Sequence, residues 1–113
     1  NGKQVRDILH IDDLVNLIEK TIKNIKKVNG EIFNIGGGKN NSISLLKLIK
    51  KLQIINNRKI IFSLKKNRVG DQNYFVNDLS KVKNELNWKP KISIDKGLLK
   101  FNDWIKKNII QNF

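Results

Sequence analysis

The sequence predicts an α/β fold of mixed short strands and about four helices. Four segments carry apolar residues at helical spacing, and the short stretches between them are rich in β-branched residues. Clusters of Asn and Gly separate these segments, and both residue types favour turns. The 113 residues are enough for a single domain with a modest core.

The first predicted elements are a short strand and a long helix. Alternating apolar residues predict a strand or extended entry from Lys3 to Leu9. Asp12 is a good N-cap for a helix that runs to about Lys27 and ends at Asn29-Gly30. The apolar residues of this helix predict one core-facing stripe, formed by Leu14, Val15, Ile18, Ile22 and Ile25.

A strand and a glycine turn are predicted next. Glu31–Ile35 is rich in apolar residues and has helices on both sides, which predicts a buried strand in a parallel arrangement. Gly36-Gly37-Gly38 follows at once. The spacing of these glycines fits neither G-x-G-x-x-G nor G-x-x-x-x-G-K-S/T. We therefore expect a tight turn between a strand and a helix.

The middle of the chain predicts another helix, followed by two extended segments. The helix runs from about Ser44 to Leu52 and has Ser42 or Ser44 as its N-cap. Its inward residues are predicted to be Leu45, Leu48, Ile49 and Leu52. Lys59–Leu64 predicts a strand, and Tyr74–Val76 predicts a short extended piece.

Two helices complete the prediction. Asp78 caps a helix that ends at Asn87, and Ser93 caps the last one. The last helix carries a predicted core stripe formed by Leu98, Phe101, Ile105 and Ile109. Both Trp88 and Trp104 are expected to pack in the core.

The net charge of +13 raises the alternative of a small basic nucleic-acid-binding module. Of the 23 basic residues, however, only Arg6, Arg58 and Arg68 are Arg, and the Lys residues are spread without a dense run. Base recognition favours Arg, and single-strand binding interleaves exposed aromatic side chains with the charge. We therefore expect no nucleic-acid partner.

Composition also bears on redox chemistry and membranes. The absence of Cys excludes a disulfide framework and a thiolate metal site within this sequence. No apolar run approaches the roughly 20 residues that span a bilayer. We expect a cytoplasmic protein with neither a metal site nor a membrane partner.

The candidate binding motif is Arg68-Val69-Gly70-Asp71. An Arg offers a planar fork of donors to phosphate oxygens, and a carboxylate can accept hydrogen bonds from both hydroxyls of a ribose. Gly70 permits a positive φ, which suits a loop that brings the two side chains together. The alternative is an exposed loop with a weak local Arg–Asp pair.

Three stretches resemble NAD-dependent sugar-nucleotide epimerases and dehydratases, the extended short-chain dehydrogenase/reductase family. They are RVGDQNYFVNDLSKVKNELNWKPKIS, GKQVRDILHIDDLV and EIFNIGGGKNNSISLLKLI, and they cover most of the chain. The GKQVRD opening and the Asn-Ile-Gly-Gly turn resemble the CDP-paratose 2-epimerase (CDP-tyvelose epimerase) branch most. UDP-glucose 4-epimerases and dTDP-glucose 4,6-dehydratases are the alternatives within the family.

This resemblance implies a fold and a set of site residues. The chain would be the C-terminal substrate-binding portion of a Rossmann-type enzyme that uses NAD and forms a homo-oligomer. The substrate would be a nucleotide-sugar, with a CDP-sugar favoured, bound by Arg6, Arg68 and Asp71. Arg6 would reach the diphosphate; the alternative is a structural pair of Arg6 with Asp7 or Asp12.

Catalytic residues are not expected in this chain. The family carries a glycine-rich dinucleotide fingerprint and a Tyr-x-x-x-Lys pair, whereas the only Tyr here, Tyr74, has Asp78 four residues later. His10, the only His, is expected to pack and form hydrogen bonds, as the family pattern implies. The resemblance implies transient oxidation and re-reduction of a sugar carbon by residues of a missing N-terminal part.

The chain contains no Met and begins at Asn1, which favours a piece of a longer protein. We expect the piece alone to have neither dehydrogenase nor epimerase activity. We also expect it to expose an apolar patch of more than a few hundred Å² near Glu31–Ile35, because a parallel strand without a neighbour is uncovered.

Overall fold

The computed structural model describes residues 2–66 and 68–109. The described residues form a small α/β unit with a three-stranded mixed sheet and five helices, which confirms the predicted fold class. The strands are β1 (Val5–Asp7), β2 (Ser42–Ser44) and β3 (Tyr74–Phe75). The helices are α1 (Ile11–Lys23), α2 (Ile25–Val28), α3 (Leu45–Asn56), α4 (Ser80–Leu86) and α5 (Ile94–Asn108).

The sheet has β1 at its centre, in the order β2-β1-β3. Strand β1 is antiparallel to β2, with Val5 opposite Ser44, and parallel to β3, with Val5 opposite Tyr74. The amide of Val5 also donates to the carbonyl of Asn73, at 2.9 Å. The start of the chain is therefore joined directly to the loop that precedes β3.

Helix α1 begins two residues earlier than a cap at Asp12 would allow. The N-cap is His10, whose Nδ1 accepts from the amide of Asp12 at 3.1 Å, so the predicted Asp12 cap is wrong and the structural role of His10 is confirmed. Asp12 lies in the first turn and pairs with Lys100. The hydrogen bond from Lys100 lowers the pKa of the Asp12 carboxyl below its ordinary value.

The predicted long helix is interrupted at Asn24. The Asn24 amide donates to the carbonyls of Lys20 and Thr21, and its side-chain Nδ2 also donates to the Lys20 carbonyl, at 2.8 Å. These bonds close α1, and α2 continues as a separate turn. Gly30 follows with φ +79°, as expected of the residue after a helix end.

The N-caps of α3 and α5 and the end of α4 agree with the predictions. Ser44 and Ser93 are the N-caps of α3 and α5, and each hydroxyl accepts from the amide three residues later. Asp78 accepts from the amide of Ser80, but the N-cap of α4 is Leu79, so the predicted Asp78 cap is wrong. Asn87 ends α4 with φ +46°, in the left-handed conformation that suits Asn.

The core lies where α1 and α2 face α4. Its buried members are Leu17, Val28, Val82, Leu86 and Trp88, with Leu9, Phe33 and Leu79 packed against them. Trp88 is only 2% exposed, which confirms its predicted core position.

Helix α1 faces this core with a different side from the predicted one. Of the predicted stripe, Leu14 is half-buried, whereas Val15, Ile18, Ile22 and Ile25 are exposed. The buried residues are Leu17 and Asp13. The Asp13 carboxylate accepts from the amides of Lys91, at 3.1 Å, and Ile92, at 2.9 Å. These bonds hold the extended segment before α5 against α1.

Two predicted strands are wrong. Among the described residues, 31–35 and 59–64 have neither regular secondary structure nor a ladder partner, and Ile32 and Ile61 are 83% and 93% exposed. A strand needs a neighbouring edge, and the three-stranded sheet does not reach these segments.

The predicted core position of Trp104 is also wrong. Trp104 and Phe101 are both about half exposed and stack on each other, with ring centroids 6.3 Å apart and planes 7° from parallel. Leu98 and Ile105 are half-buried, while Ile109 is exposed.

Among the helices of residues 2–66 and 68–109, none is long and apolar enough to cross a bilayer.

Candidate functional site

A cleft of about 620 Å³ lies between the start of the chain, α3 and the loop that contains the Arg68–Asp71 motif. Its apolar lining is formed by Leu45, Leu46, Ile49, Phe62 and Leu64. Its polar lining includes Gln4, Lys65, Lys66, Arg68 and Asp71. An apolar wall beside a few convergent charged groups is typical of a small-molecule site.

The motif loop folds back as the sequence predicts. The amide of Asp71 donates to the carbonyl of Arg68, at 3.2 Å, which closes a tight turn. Gly70 has φ +81°, a conformation that other L-residues rarely adopt. The turn places Arg68 and Asp71 on the same cleft.

Arg6 bonds to Asp71 and does not itself line the cleft. Its Nη2 donates to Asp71 Oδ1, at 3.1 Å, and its Nη1 donates to the carbonyls of Gln72 and Val5. The structure therefore pairs Arg6 with Asp71, not with Asp7 or Asp12. This pair is partly exposed, and its main effect is to hold the loop on the central strand.

Arg68 differs from Arg6 in its surroundings. Among the described residues, its guanidinium has neither a hydrogen-bond partner nor an ion-pair partner, and the residue is exposed at the cleft. Its donors are therefore available to a ligand without breaking a contact in the free protein.

Gln4 also contacts the motif, although sequence reasoning did not single it out. Its Nε2 donates to Asp71 Oδ2, at 3.3 Å. Gln4 precedes Arg6 by two residues, and side chains two apart along a strand point to the same side of the sheet. That alternation is the sequence signal by which Gln4 could have been found.

Asp7 holds the glycine turn from the other side of β1. Its Oδ2 accepts from the amide of Gly38, at 2.8 Å, and its Oδ1 accepts from Asn77 Nδ2, at 3.1 Å. A Cβ at Gly36 would lie 2.2 Å from Asp7 Oδ2, and one at Gly37 would lie 2.0 Å from the Ile8 carbonyl oxygen. The glycines thus permit a close approach. The predicted turn between a strand and a helix is nevertheless wrong, because residues 31–35 are not a strand and the chain continues through a short 3-10 turn into β2.

Comparisons with known proteins give one consistent group. The family described as GDP-mannose 4,6 dehydratase matches residues 1–101. The chain is 43% identical to CDP-paratose 2-epimerase of Salmonella typhi over 92% of this chain and 31% of that protein. It is 38% identical to UDP-glucuronate 4-epimerase of Thermodesulfobacterium geofontis over 96% of this chain and 32% of that protein.

The fold is similar to solved structures of the same group. One is UDP-glucuronic acid 4-epimerase from Bacillus cereus in complex with UDP-glucuronic acid and NAD, with a TM-score of 0.83 and 30% identity. The match covers 95% of this chain and 33% of that structure. The chain thus spans about a third of the length of the curated relatives it matches.

Proposed function

Because this chain belongs to the GDP-mannose 4,6 dehydratase family of extended short-chain dehydrogenase/reductase enzymes, we propose that it is the substrate-binding portion of a nucleotide-sugar epimerase. The observation that carries the proposal is the cleft on which Arg68 and Asp71 meet. A nucleoside diphosphate-sugar presents the two groups that these side chains bind best, a diphosphate and a ribose.

Each side chain has a distinct proposed role. Arg68 binds the diphosphate, because its guanidinium has no other partner among the described residues and matches phosphate oxygens as a fork. Asp71 accepts from the ribose hydroxyls. Arg6 does not line the cleft in the free protein, but following the resemblance we propose that its remaining N–H groups reach the diphosphate while its Nη2 keeps Asp71 in place.

The proposed substrate is a CDP-sugar, as in CDP-paratose 2-epimerase. Support comes from the higher identity to that enzyme, 43% against 38% for the UDP-glucuronate 4-epimerase. The alternatives are a UDP-glucose 4-epimerase and a dTDP-glucose 4,6-dehydratase. Asp71 argues against the latter, since a deoxyribose lacks one of the two hydroxyls that a carboxylate accepts.

The described residues do not form a binding site that fits NAD. The only glycine cluster, residues 36–38, is buried, and the Gly38 amide already donates to Asp7. A dinucleotide cradle needs amides that are free for phosphate. We therefore propose that NAD, the catalytic Tyr and Lys, and the oxidation and re-reduction of a sugar carbon all belong to an N-terminal part of the protein outside this chain.

The test is calorimetric titration of the full-length protein with CDP, UDP and dTDP, followed by assay of the corresponding nucleotide-sugars. We expect CDP to bind most tightly and the CDP-sugar to be epimerised. Preference for UDP or dTDP would move the protein to another branch of the family.

Titration against single-stranded RNA at increasing salt tests the nucleic-acid alternative. Nucleic-acid affinity through Lys contacts falls steeply with salt concentration. Binding of RNA but of none of the three nucleotides would overturn the proposed function.

A further inference from the structure

We propose that Gln4 is a positioning residue that orients the Asp71 carboxylate toward the ribose of the ligand; this inference rests on the proposed function of the cleft. Gln4 Nε2 donates to Asp71 Oδ2 and Arg6 Nη2 donates to Asp71 Oδ1, so each oxygen has one protein donor. A carboxylate has about four acceptor positions. One position therefore remains on each oxygen, which matches the two hydroxyls of a ribose.

Backbone contacts on either side of Gln4, which directly precedes β1, hold it in place. The Gln4 carbonyl accepts from the amide of Leu45, at 3.4 Å, and the next residue, Val5, donates to Asn73. Gln4 is thus held between the N-terminus of α3 and the loop that carries Asp71. A side chain on such a framework fixes its partner more precisely than one on a free loop.

The choice of an amide has an electrostatic reason. Arg6 already supplies one positive charge to Asp71. A second cation would further offset the charge of the carboxylate and weaken it as an acceptor for neutral hydroxyls. The Gln4 amide adds a donor without adding charge.

The same side chain carries a local disadvantage. Gln4 Oε1 is buried and has no hydrogen-bond partner among the described residues. A buried acceptor without a partner destabilises the fold. Residues that break a local rule of stability in this way are concentrated at functional sites. An apolar side chain of the same length would remove the unpartnered oxygen and also the donor to Asp71.

The experiment replaces Gln4 by Met in the full-length protein. Gln53→Met is the matched control, because Gln53 is also half-buried but lies on α3 outside the cleft. Thermal unfolding and the affinities for CDP and 2′-deoxy-CDP are measured, with UDP and 2′-deoxy-UDP in parallel. We expect Gln4→Met to keep or raise Tm while CDP affinity falls about three- to tenfold. Affinity for the 2′-deoxynucleotide should change less.

A purely structural role predicts the reverse pattern, with a lower Tm and equal losses for both sugars, and that result would overturn the inference. Gln4→Glu gives a second readout. At high pH its like charge repels Asp71, whereas a protonated Glu can donate as the amide does. CDP affinity of Gln4→Glu should therefore recover as the pH falls.

The two proposals fail in different ways. Wild-type affinity and wild-type sugar preference in Gln4→Met would overturn the role of Gln4 alone. A wild-type protein that binds neither CDP nor UDP would overturn the proposed function, and the role of Gln4 with it.

Discussion

Replacing Arg68 with Ala separates ligand binding from stability more clearly than any other substitution in the cleft. The Arg68 side chain is exposed and makes no hydrogen bond or ion pair with the described residues. Its removal should therefore leave the free energy of unfolding unchanged within about 0.5 kcal/mol. A charge-assisted hydrogen bond to the ligand contributes about 1.5–3 kcal/mol, so the nucleotide dissociation constant should rise about 10- to 150-fold.

The assay is titration of the full-length protein with CDP and the CDP-sugar, alongside urea unfolding. Arg68→Lys should recover only part of the affinity, because an ammonium cannot form the guanidinium fork. Arg58→Ala is the control, since Arg58 is also exposed but does not line the cleft. Dissociation constants within about twofold of wild type for both Arg68 variants would place Arg68 outside the site.

Three further predictions concern Asp71, Asp13 and the glycines. Asp71→Ala should weaken CDP binding more than 2′-deoxy-CDP binding in calorimetry; equal losses would indicate a structural role. Asp13→Ala removes the buried acceptor of two backbone amides and should lower the free energy of unfolding by about 2–3 kcal/mol in urea, and an unchanged midpoint would contradict this. Gly37→Ala, whose Cβ meets a backbone oxygen at 2.0 Å, should cost about 2–3 kcal/mol. Gly30→Ala enters open space and should cost only about 1 kcal/mol, so equal costs would refute the steric argument.

Local signals predicted the elements whose causes are local. Ser44 and Ser93 cap their helices because the cap depends on a hydroxyl and an amide three residues away. Asn87 takes the left-handed conformation for an equally local reason. The cap of α1 was missed because an imidazole, an uncommon capping group, takes that place at His10.

The features that sequence patterns did not predict depend on contacts between residues far apart in the chain. Residues 31–35 have the composition of a strand, but a strand also needs an edge to pair with, and the periodicity of a segment does not show where that edge lies. The same limit applies to the site. The motif indicated Arg68 and Asp71, whereas the bonds from Arg6 and Gln4 to Asp71 join residues more than 60 positions apart.

The exposed side of α1 and α2 leads to the last prediction. Val15, Ile18, Ile22 and Ile25 form an apolar stripe along these helices, and Ile32 adds to the apolar surface elsewhere on the described chain. Monomeric proteins seldom expose large contiguous apolar patches. We propose that the N-terminal part of the enzyme covers this stripe, since the matched relatives are about three times as long as the chain.

The substitution Ile18→Glu tests whether an N-terminal part covers this apolar stripe. Ile18 is 51% exposed in this chain, so the substitution should change the stability of the chain alone by no more than about 0.5 kcal/mol. In the full-length protein the same charge would be buried without a partner, and the expected cost is more than about 2 kcal/mol. Leu17→Glu is the control. Leu17 is only 3% exposed in the chain alone, so this substitution should destabilise both the chain alone and the full-length protein. The chain alone should not turn over a CDP-sugar when NAD is added, because the proposed catalytic residues lie outside it. An equally small effect of Ile18→Glu in both forms would show that the stripe faces solvent and that no N-terminal part docks on it, whereas turnover by the chain alone would place the catalytic residues within this chain.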